Sequence, residues 1–283
     1  MERVTVVCFL ASYALATVFE FARSRWSHNW LRVLTLGWSV AGLFAHTVYL
    51  LNRSGQADLP PLMASSHDWL LVLAWLGTVS YLFLTVLDGT IPLGMFALPT
   101  VLGLVVASRF VSKAPLDFVK GDAAQVAARG WLMLHTSMLA IGIMGVLGSL
   151  ILALMYLVQH RRLKHRQTAT EGMQLPSLAR LARLNWWAVV VSVPLLTFGM
   201  AAGVLLGLST KGVTGPIFSD PVVIGSGVGW LVMICFFGWL IRSNRPVAKQ
   251  VALLTVWACG FLVVTIVGLQ VIASSSGLGS LHS

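Results

Sequence analysis

Seven histidines are present, and two of them fall inside apolar stretches. His46 stands seven residues before Arg53, and His135 six residues after Arg129. At 1.5 Å of rise per helical residue, both imidazoles lie roughly 10 Å inside the boundary of their apolar runs. Around His46, the residues Ser39, Gly42, His46, Tyr49 and Arg53 recur at steps of three and four and form one polar stripe on a helix. Around His135, the residues Trp131, His135, Met138, Gly142 and Gly145 do the same.

A stripe holding an imidazole, an aromatic ring and small residues suits a flat apolar ligand between helices. Imidazole is an ordinary axial ligand of haem iron, and a nearby arginine such as Arg53 can pair with a propionate. Two histidines at one depth, on helices able to run antiparallel, could face each other. The competing reading is that each histidine is a hydrogen-bonded contact between helices. The remaining histidines suggest less. His67 reads as a solvated surface residue, as does His282, and His28, His160 and His165 lie beside arginines in loops.

Other chemistry is thinly represented. Carboxylates are nearly absent from the apolar runs, with Glu20 near the end of the first and Asp68 and Asp88 at run boundaries. A proton-coupled transporter would carry acids deep in its helices. Cys8, Cys235 and Cys259 stand singly, without a C-x-x-C or C-x-x-C-H pattern, and read as buried free thiols.

These residues must be positioned by membrane helices. Of 283 residues, 57% are hydrophobic and 10% charged, against about 25% charged in soluble domains. The apolar residues gather in runs of about twenty, the length that crosses a hydrocarbon core of about 30 Å. Spans are expected near 3–22, 31–51, 69–87, 90–110, 131–158, 184–208, 222–241 and 248–272. The fold class is therefore all-α, a polytopic bundle of about eight transmembrane helices, with residues 1–283 as a single transmembrane domain. The first run reads as a retained helix, since Arg23 and Arg25, rather than a small-residue cleavage site, follow it.

The formal charge of +10 does not point to nucleic acid, because the basic residues sit in short loops and form no stripe with stacking aromatics. Twelve of the nineteen Lys and Arg fall in the loops after spans 1, 5 and 7. The positive-inside rule then places both termini in the extracytoplasmic space, for a chain in the inner or cytoplasmic membrane. On the outer side, residues 52–68 and 111–130 are long enough to matter, and the second could lie along the bilayer surface.

The segment Trp131-Leu-Met-Leu-His135-Thr-Ser-Met-Leu, running into a Gly- and Leu-rich helix that ends at His160-Arg161-Arg162, resembles the histidine-bearing helix of the cytochrome c assembly family. That family includes CcsA, CcmC and HemX-like proteins. Ser54-Gly55 through Pro60, with Asp68-Trp69 and the run to Trp75, resembles the loop and third helix of CcsA-type members. The stretch from Gly260-Phe261-Leu262 to Leu281-His282-Ser283 resembles their last span. Ala45-His46-Thr47 before Tyr49 is similar to the second-helix histidine of HemX-like members.

The resemblance implies a protein that binds haem at the outer face through paired external histidines, and His135 and His282 stand at the matching positions. Two departures place the chain nearer the HemX-like branch. The loop from Ser209 to Pro221, where a tryptophan-rich motif belongs, has no tryptophan, and Trp239-Leu240-Ile241-Arg242 lacks the histidine expected near the seventh span. The expected function is membrane haem binding in cytochrome c maturation or haem handling. Haem b would be held by His135, His46, His282, Trp131 and Arg53, with the first three histidines as candidate iron ligands. Apocytochrome c and other maturation proteins of the membrane would be partners. No bond-making residues can be assigned. The alternatives are a non-haem accessory or regulatory protein and a small-molecule exporter.

Overall fold

A computed structural model describes residues 5–26, 29–57, 62, 65–87, 92–111, 124–164, 176–209, 221–243 and 247–275. These form eight long helices, with no strand among the described residues: α1 (Val6–Arg25), α2 (Asn29–Ala57), α3 (Ser66–Leu87), α4 (Gly94–Ser108), α5 (Ala124–Lys164), α6 (Leu178–Ser209), α7 (Pro221–Arg242) and α8 (Ala248–Ser275). Each corresponds to one expected span. Five are long and apolar enough to cross a membrane, and Gly94–Ser108, Gly227–Arg242 and Ala248–Leu262 are shorter apolar stretches. Large apolar side chains point outward all along these helices, among them Val33, Phe44, Val86 and Trp257, each at least 70% exposed. Lipid is the solvent that accepts such a surface.

Helix α5 begins earlier than its apolar run. Residues from Ala124 onward are helical, so the part of the 111–130 segment read as a surface loop contains the first turns of α5. At 1.5 Å per residue its 41 residues extend roughly 60 Å, twice the hydrocarbon thickness.

The chain divides into two compact units, Met1–Arg109 with Gln159–Ser177, and Phe110–Val158 with Leu178–Ser283. In the first unit α1 packs on α2, α2 on α3 and α3 on α4, and α4 returns to α1, closing a ring of four helices. Phe9, Tyr13, Leu70, Leu71, Leu73 and Leu98 fill its interior. In the second unit α7 packs on α8, and α6 touches both.

Helices α5 and α6 meet across a ladder in which a large residue on one helix faces a small one on the other. A Cβ added at Gly203 would meet the His135 ring, one at Gly199 would meet Leu139, one at Gly142 would meet Leu196, and one at Gly145 would meet Ser192. The order ascends on α5 as it descends on α6, so the two helices run antiparallel. Apolar burial drives little association in lipid, where the tails are as apolar as leucine, so close backbone approach of this kind supplies the contact energy.

Hydroxyl groups inside the helices are satisfied locally. Ser12, Thr17, Thr35, Ser39, Thr47, Thr78 and Thr255 each donate to the carbonyl four residues earlier. A polar group in hydrocarbon that lacked such a partner would cost several kcal/mol, on the order of 2–7.

Candidate functional site

The α2 stripe faces α1. Ser39 and His46 are fully buried, and the space beside Gly42 holds the Tyr13 ring, 2.7 Å from where a Cβ would lie. The His46 imidazole is stacked on Phe9, with centroids 4.2 Å apart and planes 4° from parallel. Its Nδ1 lies 3.2 Å from the Tyr13 hydroxyl. Its Nε2 is buried and has no hydrogen-bond partner. The glycine that would have left room for a flat ligand admits an aromatic ring of α1 instead.

At the Arg53 end of α2, a polar cluster joins three helices. Ser65, just before α3, caps it: the Asp68 backbone N–H donates to Ser65 Oγ at 3.1 Å, and Ser65 Oγ–H donates to Asp68 Oδ2 at 2.8 Å. This Ser-x-x-Asp arrangement is a variant of the capping box. The Asp68 carboxylate is fully buried and receives Arg53, with Nε 3.2 and 3.3 Å from its two oxygens and Nη2 3.2 Å from Oδ2. Arg53 therefore has an internal carboxylate partner.

His67 differs from its reading as a solvated residue: it is fully buried. Its Nδ1–H donates to the Ser108 carbonyl at the end of α4 at 2.6 Å. Its Nε2 then accepts from the Tyr49 hydroxyl at 3.4 Å. A carbonyl can only accept, so this bond fixes the tautomer of the neutral ring. His67 thus ties α2, α3 and α4 together, and nothing in its own apolar run announces that.

In the second unit, His135 is the top rung of the α5–α6 ladder. Its ring lies against Gly203, so close that a Cβ there would stand 2.5 Å from Cε1. Its Nδ1–H donates to the Gly199 carbonyl at 2.6 Å. By the same argument Nε2 of the neutral imidazole carries the lone pair, and the residue is only partly buried. A metal-ligating histidine usually donates its other ring N–H to a carbonyl or carboxylate, which sets both tautomer and ring plane. Trp131, one turn before, is 53% exposed. Gly142 and Gly145, read as space for a ligand, are filled by Leu196 and Ser192.

The expected site residues therefore separate. His46 and Arg53 lie on one face of α2 in the first unit, His135 and Trp131 one turn apart on α5 in the second, and His282 lies outside the described residues, as do most of the segments 58–64, 112–123 and 210–220. Of the three thiols read as buried, only Cys259 is, 3.2 Å from Ser149 Oγ, while Cys8 and Cys235 face outward. No group of three or more His, Cys, Asp or Glu able to hold a metal ion occurs among the described residues.

Comparison with known proteins bears on which ligand these imidazoles serve. The family described as Cytochrome C assembly protein matches residues 63–278. The protein HemX of Brevibacillus brevis is 26% identical over 241 residues, covering 82% of this chain and 82% of its own. No solved structure matches the chain.

Proposed function

This chain belongs to the cytochrome c assembly protein family, and from that membership we propose that it holds haem b through His135 while taking part in cytochrome c maturation or haem handling. The observation that carries the reading is the His135 hydrogen bond to Gly199, which orients the ring and leaves Nε2 as a lone-pair donor on a partly open face. One imidazole, preset at His135, fits a haem iron; that of His46 has a buried Nε2 without a partner but is covered by Phe9 and Tyr13. Bound haem would supply the iron and the macrocycle destined for a cytochrome.

The chain's own residues position that group. His135 would donate Nε2, with Gly203 and Gly199 fixing its plane, and Trp131 would offer a flat exposed face one turn away. Among partners for His135, His46 is favoured by depth and His282 by the family pattern. Arg53, bound to Asp68, would meet a propionate only by sharing its guanidinium donors. Residues 1–283 act as one transmembrane domain in this reading. The distribution of basic residues supports an inner or cytoplasmic membrane location with both termini extracytoplasmic. Basic side chains occur in the last turns of α1, α5 and α7, and none occurs in those of α2, α3, α4, α6 or α8. Apocytochrome c and other membrane maturation proteins would be its partners.

A second reading is favoured by one feature: His46 is sealed beneath Phe9 and Tyr13, as a purely structural histidine would be. Under it the chain is a non-haem accessory protein that acts by helix packing. The Soret spectrum of the purified protein separates the two. Wild type should carry haem, and His135→Ala should lose most of it while inserting and folding normally. Of His46→Ala and His282→Ala, only the true partner should change the spin state. Full occupancy and an unaltered spectrum in His135→Ala would refute the site.

A further inference from the structure

In the first unit, the ends of α1, α2, α3 and α4 meet around a cleft whose polar lining is Glu20, Arg23, Arg32, Thr35, Tyr81 and Thr85. Its enclosed part measures only about 10 Å³, room for about one water, so a larger ligand would rest in the open mouth. The charges there are unequal. Glu20 is 4% exposed, and its Oε1 accepts from Arg23 Nη2 at 2.5 Å. Its carboxyl carbon also packs on the first residue of α4, 2.8 Å from where a Cβ of Gly94 would lie, and the positive end of a helix dipole favours an anion at that place. Arg32 is exposed and forms no ion pair among the described residues. One carboxylate thus faces two guanidinium groups, an excess of one positive charge. The hydroxyls add no donor. Thr35 Oγ–H donates to the Leu31 carbonyl at 3.0 Å, and Thr85 Oγ–H to the Tyr81 carbonyl at 2.7 Å. Thr85 Oγ1 is then only an acceptor, and the Tyr81 O–H donates to it. The protons left for a ligand all belong to Arg23 and Arg32, whose charges both reach the Tyr81 hydroxyl.

We propose that this cleft binds the phosphate group of an anionic phospholipid, whose oxygens accept from Arg32 and from the remaining N–H groups of Arg23, while its acyl chains stay in the bilayer. Three observations select that occupant. The available hydrogen-bonding atoms are donors on cations, so the ligand must bring acceptor oxygens and negative charge. The buried carboxylate is already neutralised by Arg23, so the excess positive charge repels a metal ion or an ammonium group. The position supplies the source: Arg23 lies in the last turn of α1, Arg32 in the first of α2 and Thr85 in the last of α3, and Gly94 opens α4. Helices that cross a bilayer end at the depth of its headgroups, and a basic pocket between such ends is the arrangement that holds an anionic headgroup. A single water in the enclosed part would lie beneath the phosphate, and alone it leaves the charge of Arg32 uncompensated.

The test uses the full chain in phosphatidylcholine nanodiscs that contain a low fraction of phosphatidylglycerol with a diazirine on its headgroup. The label should map to residues 20–36 or 81–87. A phosphatidylcholine probe of the same design, whose choline cancels the phosphate charge, should label about fivefold less, the worth of one basic residue facing an anionic lipid. Arg32→Gln should lower phosphatidylglycerol labelling by about the same factor, and Arg32→Lys should keep most of it. Arg25→Gln removes an equal charge from an exposed residue outside the cleft and should leave labelling unchanged. The proposal fails if the two probes label alike, or if Arg25→Gln matches Arg32→Gln, since the signal would then be general surface charge. It fails as well if inorganic phosphate at millimolar concentration displaces the lipid, since the ligand would then be a soluble anion. Asp88 stands three residues beyond Thr85 and outside the described residues. Labelling that appears only in Asp88→Asn would mean that this carboxylate holds Arg32 in the native chain, and would overturn the proposal too.

Discussion

Replacing Gly203 by alanine tests the geometry around His135 without touching the imidazole itself. The new Cβ would lie 2.5 Å from Cε1, 2.8 Å from Nδ1 and 3.2 Å from Nε2, where ordinary carbon contacts begin near 3.5 Å. Backbone on one side and a planar ring on the other leave no flexible chain end to swing away. The ring must shift and stretch its 2.6 Å bond to Gly199. Overpacking of this kind costs about 1–3 kcal/mol, and an interhelical hydrogen bond in a membrane adds roughly 0.6. Alanine in place of a helical glycine returns about 1 kcal/mol. The variant should therefore be destabilised by about 1–2 kcal/mol in equilibrium unfolding with sodium dodecyl sulfate in mixed micelles. In a His135→Ala background the clash has no target, and the same change should be neutral or stabilising by up to about 1 kcal/mol. The double-mutant cycle should thus give a coupling of about 2 kcal/mol. Effects that add to within about 0.5 kcal/mol would mean that His135 and Gly203 do not share the contact described.

The same logic extends to other sites. Arg53→Ala strands the buried Asp68 carboxylate and should cost about 3 kcal/mol in the same unfolding assay, with Arg53→Lys recovering part of it, whereas equal losses would deny the ion pair its role. Gly145→Ala, whose Cβ would strike Ser192, should destabilise by about 1–2 kcal/mol, while Gly148→Ala, which meets nothing within 4 Å, should not destabilise. A topology reporter fused after Arg166 should read as cytoplasmic and one at the C-terminus as external; a cytoplasmic C-terminus would overturn the orientation proposed from the basic residues. Expressed with an apocytochrome in cells that lack their own maturation system, the chain should yield no covalent haem, and recovery of mature cytochrome would contradict its HemX-like placement.

All eight helices were legible as apolar runs because crossing a bilayer demands length and composition that few other structures share. Their ends were less so: hydropathy stops where polar residues such as Gln125 and Arg129 begin, yet the backbone of α5 stays helical through them. Depth could be read for Cys8 and Cys235, but not the face each occupies, since a run that is apolar all round carries weak angular information. The Ser65-x-x-Asp68 cap was visible in the sequence and would have placed His67 in a first turn. Its burial depends on the Ser108 carbonyl, 41 residues away, which only the packed helices reveal. The glycine spacing on α2 and α5 was likewise plain, but whether a gap beside glycine receives a ligand or a neighbouring side chain depends on interhelical register, and here Tyr13, Leu196 and Ser192 occupy it.

The α5–α6 ladder also works as a vernier. Its rungs fall at His135, Leu139, Gly142 and Gly145 on one helix and at Gly203, Gly199, Leu196 and Ser192 on the other, and the bulky partner changes helix halfway along. Sliding α6 by one turn, about 5.4 Å, in one direction would set Leu139 against Leu196 and His135 against Gly199 together, a collision of bulky side chains, while the other direction would set Leu139 against Gly203 and Gly142 against Gly199. Movement of α6 is therefore blocked in the first direction, and in either one the bond from His135 Nδ1–H to the Gly199 carbonyl would break. In that first direction the α5–α6 seam is a fixed rail, and elements that close over the proposed site at His135 would move against it.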